Sequence, residues 1–390
     1  MLLKEWFLYL SSKQKVILFC TVLLMVLIVV TGYIIVPPSQ EKKEFDFSTE
    51  MSIKDLAPKL GVTGKALAKE LKLPLDTPKA KTLKKLNVTD EQLKHVVEHL
   101  LSHVDATVKY YIYVALFTGG LIYLLMLGIP ENAPAEKRRF RYPPVFYTLF
   151  LLASVIFAGF MLGKSPNPME GIVKVFKSMV GLYPDPLNKV KAFIFFILLA
   201  IIGNKIICGW ACPMGALQEL VYKLPIFKKI KRKKLPFILT NTIRAGVFVI
   251  VLLFLFGIMG GKKGMVIYHY INPFNLFNLE FELASILIAV VAILIFSFFT
   301  YRPFCQFICP FGFVSWIAER ISIFRIRIDK QKCTGCGACI KACPLEAAKG
   351  RVNGKLAPAD CFSCARCLNI CPVDAVKYCS IFKKGQQAKP

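Results

Sequence analysis

Residues 333–344 read CTGCGACIKACP and residues 361–372 read CFSCARCLNICP. Both segments have the spacing C-x2-C-x2-C-x3-C-P, and the second is a copy of the first, 28 residues further along. This spacing is typical of cubane iron-sulfur clusters, in which the fourth Cys of each segment binds the other cluster. Structural zinc and disulfides are the alternatives, but zinc sites use two separated C-x2-C pairs. The sequence therefore predicts two [4Fe-4S] clusters.

Crossing of the fourth Cys defines two ligand sets. The first cluster is predicted to be bound by Cys333, Cys336, Cys339 and Cys371. The second is predicted to be bound by Cys361, Cys364, Cys367 and Cys343. The chain around them is basic, which offsets the negative charge of thiolate-bound clusters and suits an acidic protein partner. Nucleic acid is not expected as a partner, because the basic residues are dispersed and no nucleic-acid-binding module carries them.

The remainder of the chain is that of a membrane protein. Hydrophobic residues make up 55% of its 390 residues and the mean hydropathy is +0.54, which is too apolar for a soluble protein. Six segments approach the roughly 20 apolar residues that cross a bilayer. They are Val16 to Val36, Tyr110 to Gly128, Val145 to Leu162, Val190 to Ile207, Pro236 to Met259 and Leu283 to Thr300. The first is expected to be an anchor, because its apolar run is too long for a signal peptide and no small-x-small cleavage site follows it.

Basic residues in the short loops predict the orientation of these segments. One cluster, between the second and third segments, contains Lys137, Arg138, Arg139 and Arg141. Another, between the fourth and fifth, contains Lys223, Lys228, Lys229, Lys231, Arg232, Lys233 and Lys234. Positive loops stay in the cytoplasm, so both chain termini are predicted to be cytoplasmic. Much of the net charge of +27 is explained in this way.

A second cysteine constellation follows two of the apolar segments. Residues 205–215 and 302–312 share the pattern of a basic residue, two residues, and then C-x3-C-P-x-G. We expect a duplicated pair of helical hairpins, in which residues 184–188 correspond to residues 272–275. The basic residues, Lys205 and Arg302, would stabilise thiolates or bind an anionic head group. A redox or metal site is predicted from Cys208, Cys212, Cys305 and Cys309, with a cluster, a bound metal and a reversible dithiol as open alternatives.

Paired C-x3-C-P motifs followed by a two-cluster segment resemble the NapH/NosR-type membrane polyferredoxins, which are found with periplasmic nitrate and nitrous oxide reductases. The resemblance runs from about Val145 to Cys379. It implies anaerobic respiration and a quinol dehydrogenase-like electron-transfer subunit in a bacterial or archaeal cytoplasmic membrane. That subunit would link the quinone pool to a cytoplasmic or membrane partner oxidoreductase or cytochrome subunits. No flavin is implied, because the flavin domain of the NosR branch is absent.

Two other function classes remain open. A related branch of the family serves copper handling and oxidase assembly, in which the membrane cysteines would bind or reduce copper with electrons from the ferredoxin. A redox sensor, with the clusters as its switch, is the third hypothesis. The segment of about seventy residues between the first two apolar segments departs from the simplest family members. Two copies of a short pattern, with Thr63 and Thr89 as helix caps, predict two helical hairpins that dock a partner outside the cytoplasm.

Histidines form the last candidate site. His95, His99 and His103 recur at every fourth position, so they share one face of a helix that precedes the second apolar segment. They would bind metal, contact the haem of a partner or take protons from a quinol, or simply form a polar face. No C-x-x-C-H motif occurs, so covalent c-type haem is not expected.

The predicted fold is a membrane all-α domain of six transmembrane helices plus an α+β ferredoxin domain that binds two [4Fe-4S] clusters. In the ferredoxin domain, Asn353-Gly354 predicts a β-hairpin. The predicted divisions are an N-terminal transmembrane anchor (1–36), an extracytoplasmic helical insertion (37–108), a second transmembrane helix with its cytoplasmic loop (109–143), a duplicated four-helix membrane core (144–327) and a cytoplasmic two-cluster ferredoxin domain (328–390).

Overall fold

The chain is mostly helical in the computed structural model. The structure describes residues 3–35, 48–60, 64–71, 73–74, 77–78, 80–101, 106–134, 136, 141–163, 165–181, 186–224, 234–259, 265–279, 281, 284–355 and 359–382. Most residues of the two basic loop clusters lie outside these ranges.

The N-terminal region consists of a short helix α1 (Leu3–Leu8) and a long apolar helix α2 (Ser12–Ile35). Ser11 caps α2, because its hydroxyl accepts from the Gln14 backbone N–H at 3.3 Å, and the Gln14 side-chain oxygen accepts from the Ser11 backbone N–H at 3.1 Å. The side-chain nitrogen of Gln14 also donates to the carbonyl of Ile129 at 2.6 Å. Most of α2 is exposed within the chain, as expected for a helix that faces lipid.

Residues 48–101 contain three helices with a hydrophobic core of their own. The helices are α3 (Ile53–Lys59), α4 (Gly64–Glu70) and α5 (Asp90–Leu101). The predicted cap at Thr89 is present, since its hydroxyl accepts from the Gln92 backbone N–H at 3.3 Å. Thr63 lies outside the described residues. Before α5, the chain turns at Asn87 in the left-handed conformation.

Within the described residues, four helices are long and apolar enough to cross a membrane. They comprise Ser12–Gly32, Lys109–Leu127, Pro144–Met161 and Phe237–Phe256. The second belongs to α6 (Ala106–Ile122) and its π-helical continuation. Two shorter apolar helices, Val190–Gly203 and Ala284–Phe299, coincide with the predicted fourth and sixth spans. By length and composition, the protein is therefore a multi-pass membrane protein.

The first membrane repeat starts with α7 (Pro144–Ala153), which continues as a π-helix to Met161. It then contains α8 (Pro168–Met179), α9 (Pro186–Gly203) and α10 (Pro213–Lys223). Helix α10 runs back along α7, because Lys223 Nζ donates to Thr148 Oγ1 at 2.9 Å while Pro213 lies beside Gly159. The C-x3-C-P segment between α9 and α10 therefore lies inside the helical bundle.

The second repeat has the same plan. It consists of α11 (Phe237–Phe256), a 3-10 segment (Pro273–Asn278), α12 (Ala284–Phe299), α13 (Pro303–Phe307) and α14 (Pro310–Ala318). The correspondence expected between residues 184–188 and 272–275 is wrong. Asn167-Pro168 is the counterpart of Asn272-Pro273, because each Asn side chain caps a helix at the turn after the first apolar helix of its repeat.

The ferredoxin region contains one antiparallel pair of strands, β1 (Phe324–Ile328) and β2 (Val376–Ser380), with Phe324 opposite Ser380. Between the strands lie α15 (Ala338–Ala342), α16 (Ala347–Val352) and α17 (Arg366–Ile370). The predicted hairpin at Asn353-Gly354 is wrong. These residues end α16, where Gly354 has a φ of 81° and Lys355 N–H donates back to the Gly350 carbonyl.

Candidate iron-sulfur centres and the charges between them

Three cavities gather the cysteines of the sequence motifs. The first has an empty volume of about 360 Å³, and its cysteine lining is Cys333, Cys336, Cys339 and Cys371. These are the four residues of the first predicted ligand set. Cys336 is exposed, so this cavity lies near the protein surface.

The second cavity lies deeper and has an empty volume of about 510 Å³. Its cysteine lining is Cys339, Cys343, Cys361, Cys364 and Cys367. The structure thus brings the second predicted set together, with Cys339 on the wall shared with the first cavity. Apolar side chains such as Ile326 and Leu345 complete the walls and keep water out.

The third cavity lies among the membrane repeats and also has an empty volume of about 360 Å³. Its cysteine lining is Cys208, Cys212, Cys305 and Cys309, so each repeat contributes two thiols. Phe304 and Phe311 form part of its apolar wall, together with Met169 and Met214. We call this arrangement the four-cysteine site.

Backbone geometry explains why the four thiols converge. Lys205 and Arg302, with φ values of 61° and 49°, turn the chain sharply before the first Cys of each motif. The second Cys of each motif is extended because a proline follows it, with ψ values of 117° at Cys212 and 116° at Cys309. Each prolyl residue then begins a helix, and both helices start at the cavity.

The cavities are joined through shared wall residues. Cys339 lines the first and second cavities, and Phe362 lines the second cavity and the four-cysteine site. The ferredoxin backbone approaches the membrane motif closely here, since a Cβ on Gly209 would lie 2.0 Å from the Phe362 carbonyl oxygen. Trp210 Nε1 also donates to the Ser363 carbonyl at 3.0 Å. The three cavities are therefore adjacent, and each shares a wall residue with the next.

Asp360 connects the ferredoxin region to both membrane repeats. Its carboxylate pairs with Lys205, and with Arg244 of α11 at 2.9 Å. All three side chains are almost fully buried. Burial alone would raise the pKa of Asp360, but Lys205 and Arg244 hold that pKa below its usual range. The prediction that Lys205 binds an anionic head group is therefore wrong, because its ammonium group is buried and paired inside the protein.

Glu219 of α10 is the second buried connection. Its carboxylate accepts from Arg302 at 2.7 Å and from Arg366 of the ferredoxin region at 2.6 Å. The Tyr301 hydroxyl donates to the same carboxylate. Arg302 is fully buried and bound within the protein, so the head-group alternative is wrong for this residue as well.

Glu319 contacts two residues that line the second cavity. It pairs with Arg351 at 2.5 Å and accepts from the Cys361 backbone N–H at 3.3 Å. Burial raises the pKa of Glu319 to about 7, against the opposing effect of Arg351. This carboxylate fixes the backbone of a predicted cluster ligand.

Sequence reasoning missed these carboxylates and Arg244. Only Arg244 had a usable signal, since a charged residue in an apolar helix usually faces the bundle interior and has a functional role. Asp360 and Glu219 lie outside the six long apolar segments, and only the fold shows that they are buried.

The structure describes the predicted histidine stripe only in part. His95 is exposed on α5, His99 lies in the same helix, and His103 lies outside the described residues. Within the described ranges, no group of three or more His, Cys, Asp or Glu residues is arranged to hold a single metal ion. The cysteine groups instead surround spaces, which is the arrangement that a multi-atom cluster requires.

These features define an integral membrane protein with cysteine-lined cavities in both a membrane core and a ferredoxin-like region. A family model described as a 4Fe-4S binding domain matches residues 192–234 and 283–330, which include all four membrane cysteines. A second model with the same description matches residues 326–349. The chain belongs to the family of 4Fe-4S-binding, ferredoxin-type membrane proteins.

Relatives are found in archaea and bacteria. An uncharacterised protein of Methanocaldococcus jannaschii is 31% identical over 51% of this chain and 72% of its own length. The ferredoxin-type protein NapH of Haemophilus influenzae is 28% identical over 44% of this chain and 59% of its own length. The regulatory protein NosR of Stutzerimonas stutzeri is 33% identical over 37% of this chain, but this covers 20% of its own length. No solved structure matches the chain.

Proposed function

We propose that this protein is a membrane-bound electron-transfer subunit that carries three [4Fe-4S] clusters in series. The observation that carries the proposal is the run of three cysteine-lined cavities joined by Cys339 and Phe362. Electrons would pass between a soluble partner at the exposed first cluster and a redox partner of the membrane core. The ferredoxin-type description of NapH supports the same class of function.

The cysteine sets support two clusters in the ferredoxin region with crossed fourth ligands. Cys371 lines the cavity of the first motif, and Cys343 lines the cavity of the second. The third cluster would be held by the four-cysteine site, whose four thiols line one cavity. Its largely apolar walls would protect the cluster from hydrolysis.

Six membrane spans with both termini in the cytoplasm form part of this proposal. Helices α7 and α11 begin against the ferredoxin region, where Tyr142 N–H donates to Asn369 and Phe237 N–H donates to Glu346. Helix α9 ends there, with Tyr378 donating to the Gly203 carbonyl. This supports hairpins that cross the membrane and return. A reporter fused after Pro390 should be active only in the cytoplasm and one inserted near Asp76 only outside, and the reverse result would invert the topology.

Quinone is the proposed partner within the membrane. Two one-electron transfers from the clusters, together with two protons, would reduce a quinone to a quinol, and the reverse steps would oxidise a quinol. A partner oxidoreductase or cytochrome would then exchange electrons at the other end of the series. The first cluster suits that role, because Cys336 is exposed and Lys332 and Lys377 lie near it in the sequence.

Copper handling is the second candidate, and one observation favours it. Met169 and Met214 line the four-cysteine site together with its thiols. Thioether and thiolate sulfur select Cu(I) among the common metals. A copper site would make the membrane core a metal-handling device, to which the ferredoxin supplies electrons.

The decisive experiment uses the full chain purified anaerobically in detergent. After reduction by dithionite and removal of the excess, a soluble menaquinone analogue should reoxidise all clusters and yield quinol. Cys379→Ser is the matched control, because this cysteine lines none of the three cavities. Clusters that stay reduced in the presence of quinone would contradict the quinone role, and stoichiometric copper with only two clusters would establish the second candidate instead.

A further inference from the structure

The basic residue of each repeat hydrogen-bonds backbone carbonyls of the other repeat. Lys205 of the first repeat donates to the Gly312 carbonyl of the second at 3.2 Å. Arg302 of the second repeat donates to the Cys208 and Gly209 carbonyls of the first at 2.5 and 2.9 Å. Each cysteine loop is thus held by a cation from the opposite repeat.

Arg244 completes the arrangement. Its Nη1 donates to the Cys305 carbonyl at 3.0 Å, just as Arg302 binds the carbonyl of Cys208. Each guanidinium therefore holds the backbone of the first Cys in one motif.

The glycine of each C-P-x-G motif makes room for these arginines. A Cβ on Gly215 would lie 2.9 Å from Arg302 Nη1, and a Cβ on Gly312 would lie 2.9 Å from Arg244 Nη1. Both glycines also abut the carbonyl that the arginine binds. The duplicated motif thus specifies a cysteine pair together with the space for a buried guanidinium.

The helix termini add to the positive field. Helices α10 and α14 begin directly after Cys212 and Cys309, and both thiols accept backbone hydrogen bonds from the first turn. The N-terminal end of a helix carries a partial positive charge. Two such ends meet at one cavity.

The buried charges do not balance without an anion. Lys205, Arg244 and Arg302 are each 0% exposed, yet they share two carboxylates, and one of these also pairs with Arg366. An uncompensated charge inside a protein is costly. An oxidised cubane bound by four thiolates has a formal charge of roughly −2, which would offset the excess.

We propose that Arg244 and Arg302 are positioning residues that set the reduction potential of a cluster in the four-cysteine site. This inference rests on the proposed third cluster. Each added electron makes the cluster more negative, so nearby buried cations stabilise the reduced form and raise the potential. The four-cysteine site is thereby made able to accept electrons despite its apolar surroundings.

The test is a redox titration of the full chain, followed by electron paramagnetic resonance, on Arg302→Gln and Arg244→Gln. Each should shift the electron-exchange equilibrium between the third cluster and a fixed mediator about tenfold towards the oxidised cluster. This corresponds to a reduction potential lower by about 59 mV for a one-electron couple. Arg302→Lys and Arg244→Lys retain the charge and should stay closer to the wild-type potential. Arg320→Gln, at an exposed position, is the matched control.

Each outcome has a distinct meaning. Unchanged potentials in both Gln variants would overturn the inference while leaving the third cluster in place. Loss of the third cluster in the Gln variants but not in the Lys variants would support it, because charge would then be required for assembly. Loss in both kinds of variant would overturn it in favour of a purely structural role. A wild-type protein with only two clusters would refute the proposed function itself.

Discussion

The ferredoxin region and the four-cysteine site both collect thiols from duplicated segments, but they distribute them differently. In the ferredoxin region, each segment contributes its first three cysteines to one cavity and its fourth to the other, and Cys339 also lies on the wall between the two cavities. In the membrane core, each repeat contributes two cysteines to a single cavity. The ferredoxin duplication therefore makes two interdependent sites, whereas the membrane duplication makes one site at the contact between its halves.

Their electrostatic surroundings also differ. The first ferredoxin cavity is close to water, and Cys336 is exposed. Around the four-cysteine site, the fully buried Lys205, Arg244 and Arg302 replace water as the source of positive charge. A site buried among apolar helices cannot rely on solvent to stabilise an anion, so the chain must supply cations and the carboxylates that hold them.

The largest expected effect distinguishes one membrane site from two independent cysteine pairs. Cys305→Ser should lower quinone-linked electron transfer by about two orders of magnitude or more, and adding Cys208→Ser should cost little further, because members of one unit are not additive. Both ferredoxin clusters should remain visible by spectroscopy. If the loss in the double variant equals the product of the two single losses, the two repeats act separately.

The crossed ligands of the ferredoxin region come next. Cys371→Ser should damage the cluster bound by the first motif, because Cys371 lines that cavity, and should leave most of the signal of the second cluster. Cys379→Ser on the adjoining strand is the control. Selective loss of the cluster bound by the second motif would refute the crossover.

A substitution at Gly209 tests the contact between the membrane core and the ferredoxin region. Gly209→Ala would place a methyl group 2.0 Å from the Phe362 carbonyl oxygen, so one backbone must move. We expect a loss of about 1–3 kcal/mol in the free energy of unfolding, measured by thermal or denaturant unfolding. Gly246→Ala is the control, because no atom lies within 4 Å of its added Cβ. Equal stability of the two variants would contradict the close approach.

The smallest effect concerns residues 48–101, which have a separate core. Thr89→Ala removes the hydroxyl that caps α5 and should cost about 1 kcal/mol of stability in this segment. Hydrogen exchange should increase there and leave the membrane core unchanged, with the exposed Lys81→Ala as control. Faster exchange throughout the chain would show that the segment is coupled to the rest.

Local patterns predicted the parts of the molecule that depend on local chemistry. Cysteine spacing predicted which thiols meet, and the Cys-Pro pairs predicted extended backbone before α10 and α14. The Asn353-Gly354 pattern failed because a dipeptide that favours a hairpin also suits the end of a helix, and the strands came from residues 324–328 and 376–380 instead. Apolar length marked the fourth and sixth segments, but their helices end at Gly203 and Phe299, before the predicted ends, because sharp turns follow at Lys205 and Arg302.

The ion pairs between residues far apart in the chain could not be predicted from the sequence. Asp360 lies 155 residues from Lys205, and Glu219 lies 147 residues from Arg366. Nothing in either local sequence indicates the partner, since acidic residues outside transmembrane segments are normally solvated. The exchanged cations of the four-cysteine site emerge only when both repeats are folded against the ferredoxin region.

The central claim is that the membrane core carries a cluster of its own. Iron and acid-labile sulfide should be counted, with Mössbauer spectroscopy to identify the iron, in anaerobically purified wild-type protein and in the variant with serine at all four membrane cysteines. The wild type should contain about 12 iron atoms per chain and the variant about 8, all in [4Fe-4S] form. About 8 iron atoms in both proteins would contradict the claim and leave Cys208, Cys212, Cys305 and Cys309 without a cluster.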